Sequence, residues 1–284
     1  LRQLWNGQRL KNRNVVVGVT NPQVIVREVV VTNLPPREMK QSLPYQVRDV
    51  LPIPVDEALL DFYPLEDPGK NETVHGLLIA APKDGILTTV RAVEAAGLHV
   101  TRVDLASFAA LRAAAHMGSE VEAIVDIGSR MTNIVVHVDG EPQIVRTVPR
   151  GGADITAMIA TRLGASTAEA EALKCRIGLY PLGGQDTADV VAEAVGPLIN
   201  EIRSSLDYYT SAKSGASVSR VALVGGGSLL PGLIERLANQ LGVEAFLADP
   251  LARVSGSRRG GRHDILGRFR SSAAVSIGLT LGAA

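Results

Sequence analysis

Residues 123–138, AIVDIGSRMTNIVVHV, constrain the chain more than any other stretch, because two apolar β-type runs meet at a turn holding an acid, a glycine and a serine. A hairpin needed only for packing would place Asn-Gly or Asp-Gly at its turn and keep its strands apolar. Here the polar residues gather at the turn: Asp126, Gly128 and Ser129, then Thr132 and Asn133. Glycine lets the backbone come close to a ligand, and successive amides in a tight turn make a concave anion site. A carboxylate beside such a site repels phosphate unless a cation lies between them, so Asp126 reads as a holder of Mg²⁺ or of its water shell. The plainer reading is an ordinary hairpin whose Asp and Ser cap the turn, and the turn alone does not choose between the two.

A second glycine cluster stands in RVALVGGGSLLPGLIERLANQLG, residues 220–242. An apolar strand passes through Gly225, Gly226, Gly227 and Ser228 into a helix expected over 230–242, with Pro231 in its first turn. Helix-start amides just past a glycine bend bind anions or let a flat base approach the backbone. A tight strand-to-helix connection is the structural alternative, and neither a Walker ending nor GxGxxG spacing is present. The third element is STAEAEALKCRIG, residues 166–178, which offers Ser166 or Thr167 as N-cap and puts Glu171 and Lys174 on one helical face. Taken alone, that pair is usually a solvated ion pair.

Around these elements, strands alternate with helices. Strands are expected at 14–20 and 23–32, broken by Asn21-Pro22, then near 57–65, at 74–83, just after 100, at 220–227 and at 243–247. Helical spacing marks 84–97 and 153–163, closed by Gly97 and Gly164, a polar region over 166–214 and a last helix over 271–282. This order argues for an α/β protein with partly parallel sheets. The length, 284 residues, suits two domains or one large domain with subdomains.

Twenty-nine basic residues balance twenty-nine acidic ones, which removes the electrostatic case for a nucleic-acid or anionic-lipid binder. The single cysteine, Cys175, excludes an internal disulfide, and the five histidines lack ligand spacing. No apolar run reaches the roughly 18–20 residues that span a bilayer, and no signal peptide opens the sequence, so a cytoplasmic location is expected. A local exception to the charge balance is the run of Arg253, Arg258, Arg259, Arg262, Arg268 and Arg270, which reads as a solvated loop or as a contact for an acidic partner or membrane surface.

The ordered series VDIGSRMTNIVVHVDGEP, AEALK and VALVGGGSLLPGL resembles the second phosphate motif, the ribose- and base-lining segment and the adenosine motif of the actin-like ATPase superfamily. The chain is similar to the FtsA/PilM branch of that superfamily. Within it, the PilM family of type IV pilus assembly proteins is the nearer resemblance, through VVVGVTNPQVIVREVVVTNLP, YQVRDVLPIPVDEALLDFYPLE, LLIAAPKDGILTTVRAVEAAGLHVTRVDLASFAALRAA and the closing SIGLTLG.

The resemblance implies an α/β actin-like (ribonuclease H-like), two-lobed fold with a small inserted β-rich subdomain. Residues 1–21, 85–117 and 271–284 would form the first large subdomain and 22–84 the small one. Residues 118–165 and 218–270 would form the second large subdomain, with 166–217 as its helical insertion. It further implies ATP and Mg²⁺ as ligands of Asp126, Gly128, Ser129, Thr132, Asn133, Gly151, Gly152, Glu171, Lys174, Gly225, Gly226, Gly227 and Ser228, with Asp126 reaching the metal through water. A first phosphate hairpin is not found and the chain begins at Leu1, so it is expected to be N-terminally shortened.

Between Asp104 and His116 the sequence DLASFAALRAAAH contains no Gln or Glu to position a water. No catalytic residue is assigned, and slow ATP hydrolysis is the most the resemblance allows. The implied partners are the N-terminal segment of a PilN-like inner-membrane protein, other pilus assembly proteins and the chain itself. The PilN-like segment would lie in a groove to which Ile25 through Phe62 contribute, holding this cytoplasmic protein at the inner membrane. An FtsA-like division protein is the alternative, although the ending SSAAVSIGLTLGAA lacks the basic face of a membrane-lying helix. A sugar-kinase-like phosphotransferase would need a carboxylate base facing a substrate hydroxyl, and none stands out.

Overall fold

The computed structural model describes residues 1–67, 69, 71–118, 120–181, 184–213, 216–254 and 269–282. Arg258, Arg259, Arg262 and Arg268 of the basic run lie outside the described residues, as does the side chain of Arg253. Arg270 is described, and its Nη1 pairs with Asp249 Oδ2 at 3.2 Å. The chain divides into two compact units, Leu1–Leu105 and Ala106–Ala284. That division falls inside the 85–117 segment assigned above to a single subdomain, and the subdomain boundaries remain a proposal.

The first unit contains α1 (Arg2–Gly7), β1 (Asn14–Val19), β2 (Ile25–Thr32), α2 (Pro36–Gln46), β3 (Ala58–Pro64), β4 (Thr73–Pro82), α3 (Lys83–Ala95) and β5 (His99–Leu105). Although β1 and β2 are neighbours in sequence, they join different sheets. β1 pairs parallel with β5, while β2, β4 and β3 form an antiparallel sheet in that order. The break between them is the Asn21-Pro22 turn, where the Asn21 side chain accepts the Gln23 amide at 2.8 Å.

Pro36 starts α2 at a position whose N–H no helix needs. The helix buries Leu43 against Val31, Val74 and Leu78, with Leu60 and Phe62 packed beside them. Gly76 is required by close approach: a Cβ there would lie 2.7 Å from Phe62 Cε2, because the ring lies across the strand.

The second unit contains α4 (Ala106–Ala114), β6 (Val121–Ile127), β7 (Thr132–Val138), β8 (Glu141–Val148), α5 (Gly152–Leu163), α6 (Thr167–Arg176), α7 (Gln185–Ala212), β9 (Arg220–Val224), α8 (Leu233–Leu241), β10 (Glu244–Leu247) and α9 (Ala274–Leu281). Its sheet runs β10-β9-β6-β7-β8, parallel across the first three strands and antiparallel across the rest. On one face, Ala123, Val125, Ile127, Ile134 and Val136 pack with Ile155 and Ile159 of α5 and Leu198 and Ile202 of α7. Ile124 and Val135, offset by one residue, are equally buried outside that cluster, and α4 contacts β6 and β7. α9 rests on α4 so closely that the Ala109 carbonyl occupies the place of a Gly278 side chain. A sheet covered on both sides needs strands that are apolar at successive positions, which is why β6 and β7 do not alternate. Each fully buried Ile or Leu contributes about 1.5–3 kcal/mol.

One expected helix start is corrected. Gly225, at φ +84°, ends β9 and leads into a 3-10 turn over Gly226–Leu229. Leu230 is extended and Gly232 is left-handed at φ +81°, so α8 begins at Leu233 and not at 230, with Pro231 before the helix. The amides just past the glycine bend belong to the 3-10 turn.

Candidate functional site

The turn between β6 and β7 is closed by the Gly128 amide donating to the Met131 carbonyl at 2.9 Å. Its carbonyls are taken up by the start of α5: the Gly152 amide donates to Gly128 O at 3.0 Å and the Ala153 amide to Ser129 O at 2.7 Å. Gly151 is extended, a conformation open to any residue, so its glycine is explained by space. A Cβ there would lie 2.5 Å from Gly128 O and 2.6 Å from Ser129 O. The Asp154 carboxylate accepts the Gly151 amide at 2.8 Å, and the Thr132 hydroxyl donates to Arg150 O at 2.9 Å, which fixes the loop entering α5. Among the described residues, the amides of Ser129 and Arg130 have no protein acceptor. The turn therefore presents donors and hides acceptors, the polarity an anion requires.

The second wall is the 3-10 turn after β9. The Gly225 amide donates to Ser271 O at 2.8 Å, and the buried Ser228 hydroxyl donates to Gly225 O at 2.6 Å. The third wall is α6, whose N-cap is Ser166. Ser166 Oγ accepts the Glu169 amide at 3.3 Å while the Glu169 side chain accepts the Ser166 amide at 2.9 Å, a capping box.

One turn further on, Lys174 is buried and spends all its donors on the protein. Nζ donates to Gly152 O at 2.9 Å, to Thr156 Oγ1 at 2.8 Å and to Glu171 Oε2 at 2.7 Å. Thr156 also hydrogen-bonds Glu171 Oε2. Burial pushes the Glu171 carboxyl up, but the hydrogen bonds from Lys174 and Thr156 and the ammonium charge outweigh it and hold the group below its ordinary value. Burial and the adjacent Glu171 carboxylate push the Cys175 thiol up.

These walls enclose a cavity of about 940 Å³. Of the residues singled out in the sequence, Gly128, Ser129, Gly152, Glu171, Lys174, Gly226 and Gly227 line it. Thr132, Gly151, Gly225 and Ser228 stand behind the lining as turn-builders. Asp126 and Asn133 do not line it. They are cross-strand partners, with Asn133 Nδ2 donating to Asp126 Oδ2 at 3.3 Å and Thr147 Oγ1 donating to Asn133 Oδ1 at 3.0 Å. Burial pushes the Asp126 carboxyl up, partly offset by the Asn133 hydrogen bond. Among the described residues, no group of three His, Cys, Asp or Glu could hold a metal, so Asp126 would serve as a lone carboxylate under a hydrated ion.

Thr156, Thr167, Leu229 and Leu230 also line the cavity and were not expected there. For Thr156 a signal existed, since it follows Gly152 by one helical turn on α5.

The mixed α/β fold is actin-like. The chain superposes on a solved PilM–PilN type IV pilus biogenesis complex with TM-score 0.87 and 28% identity, covering 99% of this chain and 82% of that one. MreB5 of Spiroplasma citri bound to ADP shares the fold, with TM-score 0.50 and 15% identity over 71% of this chain and 65% of that one. The family described as type IV pilus assembly protein PilM matches residues 1–284, and the chain belongs to it.

Curated relatives include the cell division protein FtsA of Bacillus subtilis (strain 168), 29% identical over 58% of this chain and 43% of the relative. FtsA of Streptococcus pneumoniae serotype 2 is 23% identical over 72% of this chain and 50% of the relative. The chain spans about half the length of the curated relatives it matches.

Proposed function

We propose that this PilM-family chain is a nucleotide-binding scaffold of type IV pilus assembly, held at the inner membrane by the N-terminal segment of a PilN-like partner. The observation that carries the nucleotide reading is the convergence of Gly128-Ser129, Gly226-Gly227 and Glu171 on one cavity. The open amides of Ser129 and Arg130 would receive phosphate, and Gly226 and Gly227 beside Leu229 and Leu230 would receive the base. Glu171 would accept the ribose hydroxyls, with Lys174 fixing its position, since the Lys174 donors are already committed to protein acceptors.

Mg²⁺ fits Asp126 in the sense that a buried carboxylate whose charge is disfavoured gains from a cation. The ion would arrive with the nucleotide, keep its waters and neutralise phosphate charge. No Gln or Glu follows Asp104 as far as His116 to activate a water, which supports binding with slow hydrolysis at most.

Support for the partner comes from the likeness to the PilM–PilN complex, and Ile25 through Phe62 would contribute to its groove. Among the described residues no helix is long and apolar enough to cross a membrane, so attachment through such a partner suits this chain. The test is fluorescence anisotropy of a labelled peptide from the start of the PilN-like protein, with and without Mg-ATP. Saturable binding that weakens when surface residues within Ile25–Phe62 are changed is expected, and no binding in either state would remove the partner.

A further inference from the structure

We propose that Thr156 sets the sugar specificity of the cavity in the second unit, by holding one oxygen of Glu171 so that the other alone reads the sugar of a bound nucleotide. This rests on the nucleotide reading of that cavity and adds to it a positioning residue and a preference for ribose over deoxyribose.

The donors around Glu171 divide its two oxygens. Lys174 Nζ spends its protons on Gly152 O at 2.9 Å, Thr156 Oγ1 at 2.8 Å and Glu171 Oε2 at 2.7 Å. The Thr156 hydroxyl accepts from Lys174 and has a single proton of its own, with two acceptors in reach: the Gly152 carbonyl at 2.9 Å, one turn earlier on α5, and Glu171 Oε2. A charged acceptor makes the stronger bond, so the proton goes to Glu171. Oε2 is thereby held by an ammonium on its own helix, α6, and by a hydroxyl on a different one, α5. Among the described residues, Oε1 meets the Cys175 thiol alone, at 3.4 Å, a weak donor that a sugar hydroxyl displaces. The Glu171 side chain is half-exposed and lines the cavity, so its carboxylate has a protein side, Oε2, and a ligand side, Oε1. The terminal torsion of a glutamate is broad, and the bond from Thr156, crossing between helices, is what fixes it. One free oxygen at a fixed angle reads one sugar hydroxyl and is indifferent to its neighbour.

Mg-ATP, its 2′-deoxy analogue and its 3′-deoxy analogue are titrated calorimetrically into the whole chain, as the parent, as Thr156→Val and as Thr156→Ser. The parent is expected to bind one of the two deoxy analogues about tenfold more weakly than ATP and the other within about threefold. Thr156→Val, which keeps the branched shape without the hydroxyl, is expected to reduce the larger ratio to about threefold or less, while Thr156→Ser retains it. Each ratio compares two ligands on one protein, so a general loss of folded chain cancels in it. A parent that binds ATP and both analogues alike, a valine variant with the parent's ratio, or a serine variant without it would each overturn the proposal and leave the nucleotide reading standing. Absence of binding by all three ligands would overturn the nucleotide reading, and this proposal with it.

Discussion

Strand β7 is buried along nearly its whole length, whereas β2 exposes Arg27, Glu28, Val30 and Thr32 and buries only Val31 outright. Both are β-branched runs, so the difference lies in what covers them. β6 and β7 have α5 and α7 on one face and α4 on the other, while in the β2-β4-β3 sheet only the central β4 is buried at successive positions and its outer neighbours β2 and β3 are half-exposed, with α2 closing a small core on one face. The doubly covered sheet can hold backbone at fixed positions, which a site made of turn amides demands. The outer strands of the small sheet leave side chains open to another molecule. The first arrangement suits a small ligand recognised by main chain, and the second a protein segment recognised through exposed side chains.

Substitutions of one type in both sheets should separate them most widely. Ile134→Ala, at a fully buried position of β7, is expected to cost about 3–4 kcal/mol, against under about 1.5 kcal/mol for Val29→Ala beside the small core, read as denaturation midpoints. Lys174→Met should cost about 2–3 kcal/mol, because it leaves the Gly152 carbonyl, Thr156 and Glu171 without their shared donor. The same change should weaken Mg-ATP by at least about tenfold while leaving partner-peptide affinity in the first unit unchanged. Equal losses of both ligands would mean that the comparison between the sheets fails. Ser166→Ala removes the cap of α6 and should cost about 1 kcal/mol. Val30→Ser, on the open face of β2, should stay within about 0.5 kcal/mol.

Asp126 gives a smaller effect with an informative sign. Burial raises its carboxyl above the ordinary 3.8, so between that value and the raised one the folded chain binds more protons than the unfolded one. Its contribution to stability therefore falls as pH rises through that window and stays low above it. Asp126→Asn should stabilise the ligand-free chain at neutral pH, with the gain disappearing below about pH 4. The same variant should lose the Mg²⁺ dependence of nucleotide binding. Thermal melts across pH, with and without Mg²⁺, check both statements, and a variant less stable than the parent at neutral pH would contradict the first.

The sequence carried the locally encoded parts well. The α5 end at Gly164, the Ser166 cap, the Gly97 stop and the Glu171–Lys174 pairing all follow from short-range rules, and the structure has each of them. What escaped depended on distant partners. That β1 joins β5 rather than β2 is a long-range pairing with no local mark, and the expected grouping of 1–21 with 85–117 rested on the resemblance alone. The late start of α8 arose because Gly232 adopts a left-handed conformation after Pro231, a choice the apolar spacing of 230–242 does not reveal. Asp126 stays out of the cavity lining although it sits two residues before Gly128, because its carboxylate is held by Asn133 across the hairpin. Leu229 and Leu230 enter the lining only because the 3-10 turn folds back toward α6.

The most direct test of the central claim, a nucleotide site built within the second unit, is hydrogen exchange of the whole chain with and without Mg-ATP. Slowed exchange at 128–131, 151–156, 167–175 and 226–230, with no change over 25–64, is the predicted result. Absence of protection at those segments, or protection confined to 25–64, would contradict it.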